Sequence, residues 1–131
     1  MVEILRFTDP VLAARDFLLD WYPSTVTEIP DKFDWKSLLV VVSDAGGEGE
    51  KDVVLDRVIL KIEAYSPDRE EASETCRNVH GLLRAWNEID DLGPTFDGTI
   101  QRPTSDPDPE TRTPGYSSLL RLIYRAQQFT L

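Results

Sequence analysis

The stretch from Val53 to Trp86, VVLDRVILKIEAYSPDREEASETCRNVHGLLRAW, changes its hydrophobic period once, and the fold class follows from that change. In its first part Val54, Val58, Leu60, Ile62 and Ala64 share one side, while Arg57, Lys61 and Glu63 share the other. Period two is the geometry of a strand, so this is a strand with one face covered. Asp56 interrupts the apolar side near its start. Ser66-Pro67-Asp68 then supplies a cap and a proline for a helix start, with Asp68 and Glu71 spaced for a capping box. From there Ala72, Cys76, Val79, Leu83 and Trp86 recur at offsets of 4, 3, 4 and 3, a single stripe that can lie across a sheet. Gly93-Pro94 is a stop signal downstream.

Upstream, Asp9-Pro10 is a second cap-and-proline start, followed by Val11, Ala14, Leu18 and Trp21 at helical spacing, and Pro23 ends that helix after about three turns. Val26 and Ile29, before the turn-forming Pro30-Asp31, fit a short edge strand. The unbroken run Leu38 to Val42 fits a central strand covered on both faces. Ala45 to Asp52 holds Gly46, Gly47 and Gly49 among Glu48, Glu50 and Asp52, the composition of a flexible hairpin connection. Downstream, Phe96 to Arg102 and Tyr116 to Leu131 fit a strand pair. Between them Pro103 to Gly115, with four prolines and no strongly apolar residue, reads as a long projecting loop that does not pack. Together these predict one α+β domain over residues 1–131. Its sheet is mostly antiparallel with about four to five strands, two helices pack on one face, and loops project near 45–52 and 103–115.

Three Trp, five Phe and four Tyr supply enough apolar area for one core in 131 residues without cross-links or metal. The lone Cys76 excludes an intramolecular disulfide, agrees with synthesis in a reducing compartment, and falls on the helix stripe as a small core residue. No apolar run reaches the roughly 18 to 20 residues of a membrane span, and the N-terminus lacks a signal-peptide pattern, so no membrane contact and no processing are expected. Net charge is −10, with 24 acidic against 14 basic residues, which opposes ordinary nucleic-acid binding. The same charge suits a wall past which DNA must slide without being gripped.

Motifs that carry chemistry are sparse. His80, the single histidine, has no nearby cysteine or second histidine and reads as a structural residue, at the surface or half-buried. The glycines at 46, 47 and 49 match no phosphate-binding loop and have acidic neighbours that repel phosphate. Asp106, Asp108 and Glu110 alternate as a divalent-ion site could, but the prolines at 107 and 109 keep the chain extended rather than curled round an ion. Glu88, Asp90 and Asp91 sit where a helix C-terminus disfavours negative charge, which fits either a frayed, solvated end or a partner contact. No catalytic, cofactor or metal residues are expected.

The ordered pieces, a first helix, the strand pair around Leu38–Val42 and Val54–Tyr65, the segment "AYSPDREEA" entering a helix, and the closing "GYSSLLRLIYRA", resemble the small tail terminator proteins of long-tailed phages over most of the chain. That resemblance implies a structural virion protein in the neck, neither an enzyme nor a cofactor binder. It implies a homo-oligomeric ring, commonly a hexamer, that caps the tail tube, ends its polymerisation and offers a surface to the head connector or stopper protein, with DNA passing through an acidic lumen. Glu48, Glu50 and Asp52 on the first loop, and Asp106, Asp108, Glu110 and Arg112 on the second, are then the candidate protein-contact residues. Neighbouring head-tail joining or stopper proteins of the neck fit the same pattern. A small ligand-binding or enzymatic domain using His80, or an acidic DNA mimic, are readings of other classes.

Overall fold

The computed structural model describes residues 1–131 and is α+β. The strands are β1 (Glu3–Arg6), β2 (Thr25–Val26), β3 (Leu39–Asp44), β4 (Gly49–Lys51), β5 (Leu55–Tyr65), β6 (Thr95–Ser105), β7 (Gly115–Arg125) and β8 (Gln127–Thr130). The helices are α1 (Pro10–Leu18), α2 (Arg69–Arg84) and α3 (Trp86–Ile89). The main sheet runs β2-β3-β5-β7-β6, with β4 also paired to β5; every pairing is antiparallel except β2 with β3. At six strands it is larger than the four to five predicted, and β1 and β8 form a separate antiparallel ribbon.

The alternation in β5 places Val58, Leu60, Ile62 and Ala64 inside, as expected, facing Leu120, Leu122 and Tyr124 of β7 on the same side of the sheet, whereas Val54, expected with them, precedes the strand and is exposed. Ala14 and Leu18 of α1, Val79 and Leu83 of α2, and Trp86 of α3 close that side into one core. All three helices therefore lie on one face, and Tyr124 ties the layers by donating to the Pro10 carbonyl at 3.0 Å. β3 is covered on both faces: Val40 and Val42 join the main core, whereas Leu39 and Val41 meet Tyr65 beneath Phe33 and Trp35. Beyond that aromatic cover the second face of the sheet is open. Ile59, Leu119 and Ile123 lie half-buried there among Arg57, Lys61 and Arg121.

Several local expectations are corrected. The first helix ends at Leu18, and Trp21 stands 43% exposed on the following turn, outside the core. Asp68 caps α2 by accepting from the Glu70 amide at 3.0 Å, but no capping box forms. Glu71 instead accepts from the Ser66 hydroxyl at 2.6 Å, and that hydroxyl accepts from the Asp68 amide. Ala45 to Asp52 is not a loose connection. Gly47, at φ +127°, packs so closely on the Arg57 carbonyl that any Cβ would collide with it, and this bend returns the chain to β5 as β4. The hairpin turns only at Asp52–Val54.

The proline-rich segment also packs in part. β6 continues to Ser105, with Pro103 buried in it, which an edge strand tolerates because a missing N–H on the outer side breaks no ladder bond. No helix is long and apolar enough to cross a membrane.

Candidate interaction surface

The seven residues expected to make contacts fall into two groups at opposite ends of the sheet. β5 and β7 pair along eleven residues, from Leu55 opposite Arg125 to Tyr65 opposite Gly115. The β4–β5 turn lies at the first end and the β6–β7 connection at the second, separated by about 35 Å at the rise of a strand.

At the first end Glu48 pairs with the Arg57 guanidinium at 2.6 Å, Glu50 lies opposite Asp56, and Asp52 begins the turn. Burial, with Glu50 and Asp44 nearby, raises the Asp56 carboxyl above its ordinary value. Asp52 and Val53 both adopt the left-handed region, at φ 57° and 66°. Aspartate tolerates that conformation; a β-branched residue is strained in it. Val53 and Val54 are 62% and 46% exposed at the tip. Beside this tip the β1–β8 ribbon packs substantially only on itself, with the Arg6 guanidinium 3.7 Å over the Phe129 ring.

At the second end the connection is ordered rather than extended. The Asp106 amide donates to the Gly115 carbonyl and the Asp108 amide to that of Thr113. The Asp108 carboxylate accepts from the Thr111 amide at 2.8 Å, the Thr111 hydroxyl at 2.9 Å and the Glu110 amide at 3.2 Å, and the Thr111 bonds above all hold it below the usual carboxylate range. Asp108 is thus a turn-forming residue. Asp106, Glu110 and Arg112 are exposed, with Arg112 at φ 60°.

His80 is buried at 5% exposure, deeper than expected. Nε2 lies 2.9 Å from Thr99 Oγ1 and Nδ1 lies 3.2 Å from Ser118 Oγ, so both ring nitrogens are engaged. Ser118 is fully buried as well. Burial, assisted by Arg84, lowers the His80 pKa from the ordinary 6.5. A histidine whose folded pKa is depressed contributes stability that is complete above its unfolded pKa and declines as pH falls from 6.5 toward the folded value. Wild-type urea midpoints should therefore drop between about pH 7 and pH 5, and His80→Asn should remove that part of the slope. Cys76 is the core residue expected, its thiol pushed up to about 11 by burial.

A groove of about 470 Å³ lies between the end of α1 and the outer side of α2, lined by Trp21, Tyr22, Arg77, Gly81, Leu82 and Ala85. The Asn78 amide donates to the Tyr22 hydroxyl at 3.0 Å across it, and Phe17 meets Trp21 edge-on at 5.1 Å, fixing the lip. Neither this groove nor the valine tip is announced by the sequence. The available signals were Gly81 inside a helical stretch and two adjacent valines between charged residues. No protein-family model matches the chain, and no curated protein matches it significantly.

Proposed function

We propose that this chain is a ring-forming structural protein of a phage tail, a terminator that caps the tube and presents its other end to the head connector. The observation that carries the reading is the placement of two ordered connections at opposite ends of one long sheet. A subunit built this way offers different chemistry at its two ends. That is what a ring needs if one side meets a tube and the other side does not. The resemblance in the segments around 38–65 and 115–126 supports the same assignment.

The β6–β7 connection, with exposed Asp106, Glu110 and Arg112, is the part assigned to the tube. The net charge of −10 suits passage of DNA without adhesion. The test is assembly of virions lacking the protein. A terminator's loss gives overlong tails; finished tails of normal length detached from filled heads would show a joining protein instead.

A further inference from the structure

We infer that the Asp52–Val54 tip of one copy inserts into the Trp21–Leu82 groove of a second copy of this chain, an inference that rests on the ring reading above. The tip is apolar where a solvated turn gains nothing from being so. Val53 is held in a left-handed conformation that Gly or Asn adopts without strain, yet two exposed valines stand there. Such a residue choice makes sense where the side chains meet something outside the chain.

The groove has the matching shape. Gly81 opens its floor, since a Cβ at that position meets nothing within 4 Å, and Leu82, Ala85 and the half-exposed Trp21 give apolar walls. Charge matches as well. Glu50 and Asp52 precede the valines with Lys51 between them, which leaves the tip net negative, while Arg77, which lines the groove, and Arg84 further along α2 belong to none of the three ion pairs in the molecule. Arg77 is the one charged side chain lining the groove, while Glu74 lines a separate hollow with Arg69 and Tyr116, so Arg77 is the group an incoming carboxylate meets. The tip is not part of its own chain's groove, so the two surfaces meet only between copies. A knob on one surface and a hole on another make a head-to-tail contact, which closes into a ring when its rotation divides the circle.

Two variants separate assembly from folding. Val53→Gly relieves the strained backbone, and Gly81→Phe fills the groove while replacing glycine within a helix, so neither should lower the urea midpoint. Sedimentation over a concentration series should show wild-type self-association and a loss of affinity of roughly tenfold or more in each variant. Asp52→Arg and Arg77→Asp should each weaken association, and the pair together should restore part of it. Variants that associate like wild type, or a wild type that stays monomeric with and without tube protein, would overturn the contact. Variant rings that still form and cap tubes reject this contact and leave the terminator role standing. Wild-type association through this contact without any capping keeps the contact and rejects that role.

Discussion

Trp86→Ala should lower the unfolding free energy by about 3 to 5 kcal/mol, the largest single-residue effect on stability expected in this fold. The indole is 5% exposed, stacks on Phe17 at 4.6 Å and 11°, and meets Tyr124 edge-on at 6.0 Å. It is where α1, α3 and the sheet join, so its loss leaves a cavity that none of the three can close alone. Urea unfolding would show the effect as a lower midpoint at unchanged slope. Trp86→Phe should cost far less than the alanine variant. It keeps a ring on Phe17 and removes an indole N–H that is buried without a hydrogen-bond partner. A loss below about 1 kcal/mol in the alanine variant would mean that the helices are held to the sheet elsewhere.

The second large effect is functional. Replacing residues 107–113 with Asn-Gly should leave a folded protein whose midpoint changes little and whose ability to stop tube growth is gone. The boundaries matter. Thr104 and Ser105 pair with Ser117 and Tyr116, and the Pro114 carbonyl accepts from the Ser66 amide at 3.1 Å, so a cut that includes them damages the sheet. What the replacement removes is the Asp108 turn and the exposed Glu110 and Arg112, whose bonds are local to the connection. Asn-Gly supplies the left-handed conformations a short hairpin needs. Tubes of wild-type length in the presence of this variant would remove the connection from the tube contact.

What the sequence reveals of this fold divides along the range of the interactions. β5, α2 and the two-faced β3 are legible because their periods are written within a dozen residues and agree with local propensity. β4 is not, since Gly49-Glu50-Lys51 has little strand preference and is made a strand by the Gly47 bend that lays it on β5. The β1–β8 ribbon joins Glu3 to Thr130, a pairing that nothing in either segment announces. His80 shows the same limit within the candidate chemistry. Its partners Thr99 and Ser118 lie 19 and 38 residues away, so its burial is not written in the residues beside it. The turn that Asp108 forms is hidden for the same reason, since an Asx-type turn looks, in one dimension, like any acidic loop. The candidate contact residues, which follow from the resemblance, lie on two loops, and only the sheet's register places those loops at opposite ends.

The most direct measurement is electron microscopy of the purified protein mixed with its candidate tail-tube protein, scored for closed rings and for tube ends. The terminator account predicts rings seated on one end of tubes that stop lengthening. Discrete particles beside uncapped, still-growing tubes, at high concentration of both proteins, would contradict it.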